Sequence, residues 1–384
     1  MPQKTAYLDN SATTQVCPEA AQKAAEGMTA CYGNPSSLHA MGMRAEAMME
    51  QARAGVAGAL GCRAAEIIFT SGGTESNNLA LFGAIGALGR RGRRIVTTQI
   101  EHPSVLEAMG ELERRGFEVV RLRPQSDGKV PEQLIYDAVN QGTILISMMA
   151  VNNETGAVQP VAAMKKAAVA AGAPALIHCD AVQAFCRLPM EPARLGIDLV
   201  SVSAHKIHGP KGTGALYMRS GARITPLLFG GGQEKGLRPG THAVELIAAF
   251  GAAASVAAEG RAGFMREIAA LRGYCLDRLV EIGGVTVNSP ADAAPHILSI
   301  SCEGIPSEVM LNHLSANGVY VSAGSACSRG ARSHVLAAMA LPEARAASAL
   351  RISFSRFNTK EDVDLLCAQL EAGLATIKRA GKRH

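Results

Sequence analysis

Residues 198–217 read DLVSVSAHKIHGPKGTGALY. An alternating apolar run leads into Ser203, His205 and Lys206, the chain turns through Gly209, Pro210 and Gly212, and a second apolar run, GALYM, follows. That is the pattern of two strands joined by a tight connection. Working outward, similar β-rich runs recur as EIIFT (66–70), RRIVTTQI (93–100), FEVVRLRP (117–124), TILISMMAV (143–151) and ALIHCD (175–180), with helix-like segments between several of them. This alternation predicts an α/β fold with a mostly parallel sheet covered by helices. A Lys directly after a buried strand can lose its charge to desolvation and become the nucleophile that a Schiff base requires. A solvated loop Lys is the ordinary alternative, and Lys211 competes locally, but the His-Lys pair at the strand end favours Lys206.

The length of 384 residues exceeds what one hydrophobic core usually supports, so two domains are expected. With 48% hydrophobic and 18% charged residues the chain can bury a large core, which excludes a disordered protein. The net charge of +5 is small and scattered, so neither nucleic acid nor a membrane is an expected partner. Nine cysteines with no CxxC pair fit neither a disulfide framework nor a zinc site. No metal is expected, and a reducing, cytoplasmic setting fits best, since the start MPQKTAYLDN has no apolar run of a signal peptide. The stretch from Ala248 to Ile282 reads as helix interrupted near Gly260 and Gly263. The domain boundary is placed there: residues 15–257 form a large domain, and 1–14 with 258–384 a smaller α+β domain.

Three further stretches could carry chemistry. In IIFTSGGTESNNLALF (67–82) a strand ends in glycines and a helix follows, so Gly73, Thr74 and free N–H groups could receive an anion. An ordinary capped glycine turn explains it equally well. In LIHCDAVQ (176–183) a buried strand ends in Asp180, with Gln183 close behind, where parallel sheets bind ligands. A helix cap is the bland reading; a permanent cation such as a protonated pyridine would justify a poorly solvated carboxylate. In VSAGSACSRGARSHVL (321–336), Cys327 sits among small residues, and Arg329, Arg332 and His334 could favour its thiolate. Most cysteines in such a protein are inert, as Cys62, Cys179, Cys275 and Cys367 are read to be.

Taken together, YLDNSATT, GNPSSLHAMG, FTSGGTESNN, EHPSVL, VNNETGAVQP, DAVQ, SAHKIHGPKGTGALY, GGGQEKGLRPGT, SAGSACSRG and LRISFSRFNT resemble, in order, the NifS/IscS-like cysteine desulfurases of the class V aminotransferase family. The resemblance implies a pyridoxal 5′-phosphate (PLP) enzyme of fold type I, acting as a homodimer whose sites use both subunits. It implies that Lys206 carries the cofactor and acts as base, Asp180 pairs with its ring nitrogen, His102 stacks on the ring and Gln183 lies near the ring oxygen. Gly73, Thr74, Ser203 and His205 would hold the phosphate, with Thr241 arriving from the partner. Arg351, assisted by Asn34 and Asn153, would grip the substrate carboxylate.

The implied reaction converts L-cysteine to L-alanine and leaves a persulfide on Cys327 for a sulfur-acceptor protein, in iron–sulfur cluster assembly or thiolation. A selenocysteine lyase or cysteine β-lyase is the nearest alternative. A catalytically idle scaffold of sulfur trafficking is the alternative of another class, and joint retention of Lys206, Asp180, Arg351 and Cys327 speaks against it.

Overall fold

A computed structural model describes residues 5–324 and 333–381. Among the described residues twelve strands follow in order: β1 (Ala6–Tyr7), β2 (Ile67–Thr70), β3 (Arg94–Thr98), β4 (Glu118–Leu122), β5 (Thr143–Met149), β6 (Leu176–Asp180), β7 (Leu199–Ser203), β8 (Gly214–Met218), β9 (Val285–Val287), β10 (Ile297–Cys302), β11 (Val319–Tyr320) and β12 (Ala349–Ser353). Seven of them build one sheet in the order β2-β8-β7-β6-β5-β3-β4. Only β8 runs against its neighbours; the pairs from β7 through β6, β5 and β3 to β4 are parallel. The mostly parallel sheet expected from sequence is therefore present, and every strand run named above lies in it.

Both faces of this sheet are covered, which explains why its inner strands read as continuous apolar runs. Every residue of β5, TILISMM, is buried. Successive residues of one strand serve opposite layers. Ile68, Ile95, Leu145, Leu176, Leu199 and Leu216 pack with Leu79, Leu81 and Ala84 of the helix Gly73–Leu88. Their neighbours Phe69, Val96, Ile146, Ile177, Val200 and Ala215 pack with Met164 and Ala167 of the helix Val161–Ala170 and with Phe250. Charged Glu118 and Arg121 are tolerated on β4 because it is the outer strand.

A second core forms around β12-β10-β9, an antiparallel sheet, with the helices Ser307–Ala316 and Lys360–Gly381. The chain start joins it: Ala6 and Leu8 are buried there and β1 pairs in parallel with β11. The helix Val244–Glu281 links the two cores, giving Ile247, Phe250 and Ala253 to the first and Ile268, Leu271, Cys275 and Leu279 to the second.

This helix corrects one expectation, because its 38 residues run without interruption at Gly260 or Gly263. Each glycine costs about 1 kcal/mol against Ala in a helix interior, which packing along both halves offsets. Gly260 also has a packing role. A Cβ there would lie 2.1 Å from the ring of Phe264, so the bare glycine lets that ring fold back along the helix.

Candidate active site

The C-terminal ends of the parallel strands open on a cavity of about 270 Å³, whose lining includes Ser11, Ala12, Gly73, Thr74, Asn77, His102 and Ser104. From further along the chain come Asn153, Asp180, Gln183, Ser203, His205, Lys206 and Arg351. This is where open α/β sheets place ligands. Asp180 is the last residue of β6 and Ser203 the last of β7, so strand length alone sets their depth. Ten of the residues singled out from sequence thus meet in one cavity.

Asp180 is buried yet held on both oxygens: Asn77 Nδ2 donates to Oδ2 at 2.8 Å and the Val182 N–H to Oδ1 at 3.0 Å. Beneath it, His178 is fully buried between the hydroxyls of Ser147 and Ser201, and burial pushes its imidazole down to about 4. Lys206 Nζ donates to the carbonyls of Ser11 at 2.5 Å and Ala12 at 2.7 Å, so the first segment of the chain lies across the lysine. His102 caps the helix Pro103–Arg114, its Nδ1 accepting the Ser104 N–H at 3.1 Å. In the neutral ring that bond leaves the proton on Nε2. Burial lowers the His102 imidazole, and it lowers His205 to about 4 with the Lys206 charge adding to the effect. Gln183 lines the cavity, but both ends of its amide are engaged within the protein, Nε2 with Ser11 O and Oε1 with Arg187.

Two expected residues lie elsewhere. Asn34 and Thr241 are exposed and share a separate open cleft with Tyr32 and His242. Cys327, with Arg329 and Arg332, lies outside the described residues. Sequence reading missed Asn77, although it follows Thr74 by three positions and so shares its helix face. It also missed the Ser11 and Ala12 carbonyls, which no pattern connects to Lys206.

Residues 6–366 match the family described as Aminotransferase class-V. The chain belongs to the class-V aminotransferase family. Among the relatives of this class-V chain, a protein named Cysteine desulfurase IscS from Dictyoglomus turgidum is 39% identical over 369 residues, covering 95% of this chain and 93% of that one. A solved structure described as a NifS-like protein superposes with a TM-score of 0.92 at 38% identity, covering 97% of this chain and all of the other. Another, described as SspA in complex with cysteine, gives a TM-score of 0.82 at 34% identity over 92% of this chain and all of that one.

Class-V aminotransferases depend on PLP, and the residues present fit that group. The N-terminus of the helix Gly73–Leu88 has no side-chain cap, because Gly72 precedes it, so its first N–H groups are available to a phosphate. The turn is also pressed against the sheet: a Cβ on Gly214 would come within 2.7 Å of Gly72 Cα. Asp180 offers a desolvated carboxylate for a ring N–H, for which water would be a competitor at any exposed position.

A buried acid next in the chain to His102 titrates in an accessible range. Glu101 is fully buried, accepts from Thr98 Oγ1 at 2.6 Å and from the Met149 N–H at 3.0 Å, and has no partner for Oε2 among the described residues. Burial, opposed by these bonds and aided by the Asp180 charge, pushes it up to about 8. A raised acid contributes stability that is complete below the ordinary carboxylate range and is lost as pH rises through about 8. Glu101→Gln removes this titration. Its thermal midpoint should therefore fall less between pH 6 and pH 9 than that of the unsubstituted protein, as differential scanning calorimetry would measure.

Proposed function

We propose that this chain is a PLP-dependent cysteine desulfurase, converting L-cysteine to L-alanine and passing the sulfur through a persulfide on Cys327 to an acceptor protein. The observation that carries the reading is the convergence of Asp180, His102, Lys206 and Arg351 on one cavity. The likeness to proteins named as cysteine desulfurases, and to one described in complex with cysteine, supports the substrate.

In this reading Lys206 Nζ holds the cofactor, and Gly73, Thr74, Ser203 and His205 hold its phosphate. When bound, PLP supplies an electron sink for the pair left at Cα when its proton departs. Asp180 would keep a proton on the ring nitrogen by pairing with it, and His102, oriented by its cap, would lie against the ring. Arg351 takes the substrate carboxylate, with Asn153 beside it, and Lys206 takes the Cα proton once its amine is released. The Cys327 thiolate then attacks the substrate sulfur: an S–S bond forms, the C–S bond breaks, and its electron pair returns to the carbon skeleton that becomes alanine.

A homodimer belongs to the same proposal. Asn34 and Thr241 share a cleft away from the cavity, and Tyr32 beside them is 70% exposed, as is Phe229 at 88% in the segment before Thr241. A second copy would cover these apolar residues and bring Thr241 and Asn34 to the neighbouring site. The division into 15–257 and 1–14 with 258–384 is supported by the separate cores. Among the described residues no helix is long and apolar enough to cross a membrane.

The deciding experiment feeds sulfur-labelled L-cysteine to the PLP-loaded protein, measures alanine, and maps the label after alkylation without reductant. Alanine formation with label on Cys327 is expected. Label on another cysteine, or alanine formed with no labelled peptide, would replace the desulfurase with a lyase.

A further inference from the structure

Arg351 is 2% exposed, and its guanidinium is already partly engaged before any ligand arrives. Nη2 donates to Asp9 Oδ1 at 2.9 Å and Nη1 donates to the Asn153 carbonyl at 2.9 Å. The same Asp9 oxygen accepts Ser322 Oγ at 2.8 Å. Arg351 Nε is buried and has no hydrogen-bond partner among the described residues. A carboxylate arriving in the cavity that Arg351 lines shares the positive charge of the guanidinium with Asp9. Of the described side chains lining that cavity, only Arg351 and Lys206 are strong cations, since burial lowers both His102 and His205. Lys206 is committed to the cofactor in the function proposed above.

We propose that Asp9 is a specificity-determining residue, which limits the Arg351 site to amino acids carrying a single carboxylate. The inference rests on the reading of Arg351 as the carboxylate receptor. One carboxylate meets a guanidinium half neutralised by Asp9 and is accepted. A second carboxylate on the same ligand finds no further cation among the described lining residues and is repelled by the Asp9 charge. At an effective dielectric near 20 and a separation of roughly 10 Å such a repulsion corresponds to roughly a tenfold change in affinity. Asp9 thus acts through charge as well as through orientation, and the two can be separated. Asp9→Asn keeps an acceptor for Arg351 and Ser322 and removes only the charge, while Asp9→Glu keeps the charge.

The test is calorimetric titration of the PLP-loaded protein with L-alanine and with L-aspartate. In Asp9→Asn the ratio of the aspartate Kd to the alanine Kd should fall about tenfold, with Asp9→Glu staying near the unsubstituted ratio. If circular dichroism shows that Asp9→Asn does not fold, the smaller neutral Asp9→Ser takes its place with the same expectation. An unchanged ratio in the neutral variant, with Arg351→Gln still abolishing alanine binding, overturns the role of Asp9 alone. Undiminished alanine binding by Arg351→Gln overturns the Arg351 reading, and the role of Asp9 falls with it.

Discussion

Lys206→Ala is expected to leave a folded protein that binds PLP loosely and turns over L-cysteine at least about 10⁴-fold more slowly, because nucleophilic tether and proton base are lost together. The fold should survive, since the contacts that fix this position run through the main chain: Arg187 donates to the Lys206 carbonyl at 2.6 Å, and the Ala substitution leaves that bond in place. What disappears is the ammonium group that satisfies the Ser11 and Ala12 carbonyls. Water can enter the cavity and replace it there, so the stability cost should be small beside the loss of rate. Borohydride reduction of the unsubstituted protein followed by peptide mapping should mark Lys206. A mark on Lys211, or appreciable turnover by Lys206→Ala, would remove Lys206 from its role.

Cys327→Ala should separate carbon chemistry from sulfur chemistry. Everything proposed to act on carbon, Lys206, Asp180, His102 and Arg351, lines the cavity, and none of it is altered. The variant should therefore bind PLP and L-cysteine with near-normal Kd while alanine formation falls by about 10²-fold or more, because no thiolate is left to take the sulfur. Serine should be no better, since a hydroxyl is a poor nucleophile toward sulfur at neutral pH and cannot carry a persulfide. Stopped-flow absorbance for binding and a chromatographic alanine assay for turnover give the two readings. Alanine formation by Cys327→Ala at the unsubstituted rate would favour the lyase.

The parts of this site that lie within a strand and the turn after it were legible in the sequence. Asp180, Ser203 and Lys206 each announce themselves because a polar residue closing a buried run needs a reason, and the strand direction says where it points. Residues that act across the chain were not legible from spacing. Asp9 and Arg351 are 342 positions apart and meet because β1 and β12 enter the same small core, a tertiary fact without a local pattern. The misread break at Gly260 and Gly263 has a related cause. Local propensity speaks against glycine in a helix, while the packing that outweighs it comes from residues far away in sequence. Asn34 and Thr241 were named only through the family resemblance, and in a single chain they lie apart from the cavity.

The unbroken helix Val244–Glu281 makes angular phase a property of the active site. One half is locked into the core that carries Asp180 and Lys206, and the other into the core that carries Arg351. Inserting a single residue near its middle would turn the second core by about 100° and advance it by about 1.5 Å, swinging Arg351 away from the lysine while each core kept its own packing. Evolution can lengthen the loops of such a protein freely, but this rod only in steps that restore its phase.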